Sequence, residues 1–123
     1  MERVNKVEVQ LEDMQGTPSI RFIFPQKLSR LATEECIEDW GNLLKQHQLY
    51  RYNITWDCSV MTDYEPMARV LMQKAIMQRS KGIGVVYLIS QNSIIRSGAR
   101  LMNMFVPFKI VTLTHNQELL TAA

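Results

Sequence analysis

Two short segments near the start of the chain alternate between apolar and polar residues: 6–12 (KVEVQLE) and 19–24 (SIRFIF). A period of two residues is typical of a half-buried β-strand, with its apolar side chains on one face. The sequence Gly16-Thr17-Pro18 between them is typical of a turn. Together these patterns predict an antiparallel hairpin at the beginning of the fold.

A helical pattern follows the hairpin. Pro25 ends the second strand, and Thr33 is predicted to cap the first helix, with Glu34 and Glu35 favourably placed in its first turn. The apolar residues of this helix recur at helical spacing and are predicted to be buried: Cys36, Ile37, Trp40, Leu43 and Leu44.

The middle of the chain alternates strands with helices. A third strand at 52–59 (YNITWDCS), with Trp56 predicted in the core, leads into a helix over 66–80 (PMARVLMQKAIMQRS). The segment 83–89 (IGVVYLI) is nearly continuous apolar sequence. Such a run predicts a fourth, parallel strand with helices covering both of its faces.

The last third of the chain predicts a further helix and strand. The helix begins at Asn92 or Ser93 and runs through Met104, and the strand covers 109–113 (KIVTL). Thr114 with Gln117 fits a capping box for a short terminal helix.

The element order is therefore β-β-α-β-α-β-α-β-α, which predicts an α/β fold. We expect a mixed, mostly parallel sheet with helices packed on it. With 123 residues, the chain is long enough for one core and too short for two, so a single domain over 1–123 is expected.

Composition and charge exclude several classes of protein. The net charge of +2 is weak and the basic residues are dispersed, so nucleic acid is not an expected partner. No apolar run approaches the roughly 18 residues of a transmembrane helix. The first residues, MERVNKVEVQLED, lack the apolar core of a signal peptide, so a cytoplasmic protein is expected.

The two cysteines indicate neither a zinc site nor a disulfide framework. Cys36 lies in a predicted helix and Cys58 at a predicted strand end, without a CxxC motif or a nearby histidine pair. Both are predicted to be reduced, buried thiols. The sequence indicates no cofactor and no metal.

The corner between the third strand and the second helix carries the clearest functional signal. Asp63, Tyr64 and Glu65 come immediately before the predicted helix, where free backbone N–H groups and the helix dipole favour an anionic oxygen. A strand that ends at such a corner is a common place for function.

Segment 59–90, SVMTDYEPMARVLMQKAIMQRSKGIGVVYLIS, followed by PFKIVTL, resembles the STAS family of sulfate-transporter and anti-sigma-factor-antagonist domains. The resemblance covers nearly the whole chain. It implies a non-enzymatic, bacterial regulatory module that binds another protein. The implied partner is an anti-sigma factor, a switch kinase, or a transporter or sensory component.

The resemblance also places the family's phosphorylation motif, which reads Asp, two small hydroxyl residues and Gly. Asp63 matches the family aspartate, whereas Tyr64 stands at the first hydroxyl position, Glu65 at the phosphorylated position and Pro66 at the glycine. Thr62 is the small hydroxyl residue next to this motif. The usual serine switch is therefore absent at position 65.

Two interpretations of Glu65 remain open. In the first interpretation, Glu65 imitates the phosphorylated state permanently. Its carboxylate carries one negative charge, whereas a phosphoserine carries about −1.5 to −2. In the second, Glu65 and Pro66 simply suit the start of a helix and there is no switch.

The second helix supplies a candidate partner surface. At about 100° per residue, Val70 and Met77 fall on its polar side beside Pro66, Arg69 and Gln73. An apolar pair within a polar surround suits a protein partner, although scattered surface apolar residues are also common. The predicted core side consists of Met67, Ala68, Leu71, Met72 and Ala75.

Arg96 and Arg100, one turn apart on the third helix, suit either a phosphate or solvated helix charges. His47 and His115 have no nucleophile or acidic partner at suggestive spacing. Two alternative functions stay open: a STAS-like subunit of a transporter or sensory complex, and a small-ligand or nucleotide-binding domain. A homodimer is a further possibility.

Overall fold

The computed structural model describes residues 6–119, and its strands form one sheet of five and one of two. In chain order, the elements are β1 (Glu8–Met14), β2 (Thr17–Ile23), β3 (Lys27–Leu28), α1 (Arg30–His47), β4 (Tyr52–Asp57), β5 (Asp63–Tyr64), α2 (Pro66–Gln78), β6 (Ile83–Ile89), α3 (Ser93–Asn103) and β7 (Lys109–Leu113). The large sheet has the order β1-β2-β4-β6-β7, and the small one pairs β3 with β5.

The predicted hairpin is present, but its turn is shifted. β1 pairs with β2 antiparallel, and Met14 faces Thr17 across a loop of Gln15 and Gly16, whose φ angles are 55° and 90°. A two-residue loop with positive φ at both positions matches the right-handed twist of the strands. Thr17 and Pro18, predicted in the turn, are therefore the first residues of β2.

Apart from β1, the strands of the large sheet are parallel, as predicted: β2, β4, β6 and β7 lie side by side in that order. The steps from β2 to β4, β6 and β7 all run in one direction across the sheet. Right-handed crossovers that step in one direction place their helices on the same face. Buried residues of all three crossover helices accordingly share one core cluster, including Trp40, Met72 and Ile95.

The three crossover helices cover one face of β6. Its other face packs in a small second cluster that joins Tyr87 and Ile89 with Leu113 of β7 and Leu119. The strand is apolar on both faces because residues of β7 and Leu119 bury the second face within the described part of the chain.

Helix α1 begins earlier than predicted. Ser29 is its N-cap and accepts a hydrogen bond from the backbone N–H of Ala32 at 3.0 Å. Thr33, the predicted cap, is buried inside the helix, and its hydroxyl donates to the Ser29 carbonyl at 2.8 Å. A Ser hydroxyl that accepts from the backbone N–H three residues later satisfies one of the free donors in the first turn of a helix.

The predicted apolar side of α1 does face the core. Cys36 and Trp40 are fully buried, while Ile37, Leu43 and Leu44 are partly buried against the main cluster. The Trp40 ring meets Phe22 edge to face at 5.3 Å, and the Arg79 guanidinium lies 4.5 Å over the same indole. These contacts join α1 to the sheet and to the end of α2.

The C-terminal elements follow the prediction closely until residue 114. β6 and β7 have the predicted bounds, and the Asn92 side chain caps α3 by accepting from Ile94 N–H at 2.9 Å. The predicted Thr114–Gln117 capping box is not formed. Instead, the Glu118 carboxylate accepts from the backbone N–H groups of Thr114 and His115, around a 3-10 turn at Asn116–Glu118. Residues beyond 119 lie outside the described part of the chain.

Replacing Trp56 with Ala should destabilise the fold by about 3 to 5 kcal/mol, because Trp56 is 3% exposed and its removal leaves a cavity. Chemical denaturation measures the loss. Val60→Ala is the control, since Val60 is 61% exposed and should change stability by less than about 0.5 kcal/mol. A loss below about 1 kcal/mol for Trp56→Ala would contradict the burial of this face of β4.

Candidate functional site

The corner before α2 is held by a short pair of parallel strands that the sequence did not predict. β5 (Asp63–Tyr64) lies beside β3 (Lys27–Leu28), the segment that precedes α1. Thr62 N–H donates to the Gln26 carbonyl at 2.8 Å, and Glu65 N–H donates to the Leu28 carbonyl at 2.9 Å. The buried Leu28 side chain anchors this segment in the core, so the corner is attached to the start of the first helix.

Glu65 is the residue whose role differs most from the prediction. It is the N-cap residue of α2 by position, but its side chain makes no capping hydrogen bond there. Its carboxylate instead accepts from the backbone N–H of Arg30, the first residue of α1, at 2.5 Å. A carboxylate at a helix N-terminus satisfies a free N–H and interacts favourably with the dipole. Glu65 therefore stabilises the start of α1, while Pro66 occupies the first position of α2.

The other corner residues divide into exposed and packed. Thr62 and Asp63 are exposed, and the Asp63 carboxylate accepts from the backbone N–H of Tyr64 at 2.8 Å. Tyr64 is half-buried, and its ring packs against the main core. Its hydroxyl lies next to Gly98 of α3, where an added Cβ would be 2.9 Å from the oxygen. Tyr64 thus connects the corner to α3.

The outward side of α2 carries exposed apolar side chains. Val70 is 46% exposed and Met77 is 42% exposed, as expected for residues on the side of α2 that faces away from the core. Pro66 is also exposed. Arg69 and Gln73 are half-buried, and their side chains lie 3.5 Å apart at the hydrogen-bonding atoms.

Met67 was predicted in the core but is 47% exposed. The buried side chains of α2 are Ala68, Met72, Ala75 and Ile76, so the buried side is centred near Met72. At about 100° per residue, Met67 and Met77 both lie about 140° from Met72. Met67 therefore joins Val70 and Met77 on the outward side.

A cavity of about 60 Å³ lies beneath the corner, between α2, α3 and the sheet. Its wall is almost entirely apolar and includes Trp56, Tyr64, Ala68, Met72, Leu88 and Ala99. Sequence patterns place Trp56, Ala68, Met72 and Leu88 in the core, but they do not reveal where the packing leaves space.

The remaining candidate residues are scattered. Arg100 is exposed on α3, whereas Arg96 is half-buried. His47 is exposed at the end of α1, and His115 Nδ1 lies 3.2 Å from the Gln91 amide nitrogen. Within residues 6–119, no group of three His, Cys, Asp or Glu side chains suits a metal ion.

Both cysteines are buried, unpaired thiols. Burial raises the pKa of Cys36 to about 12, with a smaller contribution from the nearby Asp39 carboxylate. Burial also raises the pKa of Cys58 strongly, with the Asp57 charge as the second cause. Both side chains are therefore protonated at neutral pH and are unsuited to nucleophilic attack.

One polar cluster has no counterpart in the sequence analysis. Arg21 of β2 forms ion pairs with Glu12 at 2.7 Å and with Asp57 at 3.1 Å, and it donates to the Asn116 side chain at 3.0 Å. The Asp57 carboxylate also accepts from the backbone N–H and hydroxyl of Ser59. This cluster links β1, β2, β4 and the C-terminal turn, so we assign it a structural role. Alternation along single strands does not reveal it, because its members come from four separate segments.

Comparisons with known proteins establish the fold. The sequence matches no family model and no curated protein. The structure is similar to that of an uncharacterised protein of the DUF3478 family, with a SpoIIAA-like fold, from Shewanella loihica PV-4. The TM-score is 0.78 at 16% sequence identity, over 95% of this chain and 93% of the other. The chain thus has the SpoIIAA-like fold, which is that of STAS domains and anti-sigma factor antagonists. Within the described residues, no helix is long and apolar enough to cross a membrane.

Glu65→Gln should lower the stability of the protein by about 0.5 to 2 kcal/mol, as expected when a helix N-terminus loses a charged acceptor. Glu65→Ser should cost at least as much, since the shorter side chain cannot reach Arg30 N–H. The matched control is Glu34→Gln. Glu34 is an exposed acid within α1, and its carboxylate lies 3.6 Å from the guanidinium of Arg30 rather than at the Arg30 backbone N–H. Urea denaturation of the three variants measures the difference. Equal losses for Glu65→Gln and Glu34→Gln would show that the contact with Arg30 N–H contributes nothing.

Proposed function

We propose that this protein is a non-enzymatic regulatory module of the STAS type, acting in the bacterial cytoplasm by binding another protein. The proposed partner surface consists of the exposed corner residues Thr62, Asp63 and Pro66 with the outward side of α2. The partner classes that the fold suggests are an anti-sigma factor, a switch kinase, or a component of a transporter or sensory complex.

The observation that carries this proposal is the row of exposed apolar side chains on α2. Met67, Val70 and Met77 are each between 42% and 47% exposed and recur at spacings of three and seven residues. Such spacing places them on one side of a helix. Lys74 is exposed on the same side, and Arg69 and Gln73 flank it. An apolar centre with a polar surround is typical of a protein interface.

The geometry of the corner favours an interface of constant shape. The backbone N–H groups of Thr62 and Glu65 donate to the segment before α1. The Glu65 carboxylate accepts a hydrogen bond from the backbone N–H of Arg30. A rigid corner loses little conformational freedom on binding, which lowers the cost of association. Of the two interpretations of Glu65, its contact with α1 therefore supports the structural one, in which position 65 is not a switch.

No catalytic role is part of the proposal. The two thiols are buried and protonated, and the two imidazoles lie in different parts of the fold, His47 at the end of α1 and His115 beside the C-terminal turn. A reaction centre needs convergent nucleophilic, acid-base and charge-stabilising groups. The Thr62, Asp63 and Glu65 side chains of the corner are hydrogen-bonded to backbone groups instead.

Met77→Glu should weaken partner binding by more than about tenfold, because it places a charge in the apolar centre of the proposed interface. The matched control is Leu101→Glu on α3, since Leu101 is 44% exposed and Met77 is 42% exposed. Affinity capture with both variants selects the partner, which is then titrated by calorimetry. A specific partner should be retained by the native protein and by Leu101→Glu and lost by Met77→Glu.

The opposite pattern would place the interface on the third helix. Binding that survives Met77→Glu but is abolished by Leu101→Glu, or by the Arg96→Glu, Arg100→Glu double variant, would contradict the proposal. Circular dichroism of each variant checks that the fold is intact. Met77, Leu101 and Arg100 are exposed and should allow substitution, whereas Arg96 is half-buried, so the check decides whether the double variant can be used.

A further inference from the structure

β7 lies at one edge of the large sheet, with β6 on its inner side. Within residues 6–119, no strand lies along its outer side. An edge strand carries a row of backbone N–H and C=O groups to which another strand can pair. The outer side of β7 is therefore where a further strand would add to this sheet.

Alternate residues of β7 direct their backbone groups toward β6 and away from it. The Leu113 carbonyl accepts from the N–H of Ser90, directly after β6, at 2.9 Å, so Leu113 faces the inner side. The N–H and C=O of one residue in a strand point to the same side, and successive residues alternate. The backbone groups of Ile110, Thr112 and Thr114 therefore point outward.

Side chains of the same chain already occupy two of these three outward N–H groups. The side-chain oxygen of Asn103, the last residue of α3, accepts from Ile110 N–H at 2.9 Å. The Glu118 carboxylate, in the C-terminal 3-10 turn, accepts from Thr114 N–H at 2.6 Å. Within the described residues, no side chain accepts from Thr112 N–H, which lies between them. The edge is thus closed at both ends and open at its centre.

The composition of the two edge strands shows why β7 needs such protection. β1, at the opposite edge, contains three acids, Glu8, Glu12 and Asp13, which would repel a second copy of the same strand. β7 (KIVTL) has one charge, at Lys109, and is otherwise apolar or β-branched, which suits strand pairing. Its own sequence therefore gives β7 no comparable protection.

A second copy of β7 fits this edge in an antiparallel arrangement about a two-fold axis. With the axis at Thr112, the two Thr112 residues face each other and exchange both of their backbone hydrogen bonds. Ile110 of each copy then faces Thr114 of the other, so the two flanking pairs need the N–H groups that Asn103 and Glu118 occupy. The central pair alone does not offset the freedom that two molecules lose on association.

We propose that Asn103 and Glu118 block strand addition at the edge of β7, and that the partner they exclude is β7 of a second copy of this chain. Release of both side chains opens the edge to a symmetric dimer with one continuous sheet. This autoinhibitory contact lies in a different part of the fold from the partner surface on α2. It does not depend on the proposed function.

Sedimentation equilibrium of the native protein and of the Asn103→Ala, Glu118→Ala double variant tests the proposal. The double variant should self-associate at least about a hundredfold more tightly than the native protein, because the two flanking pairs add hydrogen bonds to the central one. The matched control is Asn42→Ala, Glu38→Ala, which removes an exposed amide and an exposed acid from α1. This control should self-associate no more than the native protein does.

Thr112→Pro separates pairing through β7 from association by another surface. Proline lacks the central N–H, and an edge strand tolerates it where the N–H points outward. Added to the double variant, Thr112→Pro should restore the native degree of self-association, with circular dichroism showing an intact fold. Hydrogen exchange followed by NMR gives a second readout. The Thr112 amide should exchange rapidly in the native protein and become protected in the double variant.

Three results would overturn the proposal. The first is a folded double variant that self-associates no more tightly than the native protein. The second is a dimer in which the Thr112 amide stays unprotected, or which persists in a folded variant that also carries Thr112→Pro, since that dimer uses another surface. The third is an assembly larger than a dimer, because a two-fold pair uses both β7 edges and closes at two copies.

Discussion

The arrangement of the site depends on the parallel pairing of two very short strands, β3 and β5. β3 directly precedes α1 and β5 directly precedes α2, so their hydrogen bonds align the starts of two helices. The Glu65 carboxylate strengthens this alignment by accepting from the first N–H of α1. Because Tyr64 lies in the same short strand and packs against Gly98, the pairing also sets the spacing between the corner and α3.

The topology of the large sheet explains why a cavity lies beneath this corner. All three crossover helices pack on one face, and the gap between α2 and α3 lies over the ends of β4 and β6. Small side chains, Ala68 on α2 and Ala99 on α3, face this gap. The outward side of α2 and the cavity on its inner side are therefore two surfaces of one element, and both follow from how the corner sets the start of that helix.

Sequence patterns predicted the elements with strong periodicity and missed contacts between distant segments. The bounds of β6 and β7 were correct, and α3 starts where it was expected, at Asn92 or Ser93, because continuous apolar runs and residues that favour a helix start are visible within a few positions. β3 and β5 have two residues each and show no period, so they were missed. The contact between Glu65 and Arg30 spans 35 positions of the chain and has no local signal. The corner was therefore located correctly, while the role of its glutamate depended on tertiary structure.

The central claim is that Glu65 belongs to the scaffold that holds the corner, rather than to a switch. The most direct measurement is the hydrogen-exchange rate of the Arg30 backbone amide, followed by NMR in the native, Glu65→Ser and Glu34→Gln proteins. The account predicts that the Arg30 amide is protected in the native protein and in Glu34→Gln, and that Glu65→Ser, whose side chain is too short to reach it, removes this protection. Equal protection of the Arg30 amide in the native protein and in a folded Glu65→Ser variant would contradict the claim.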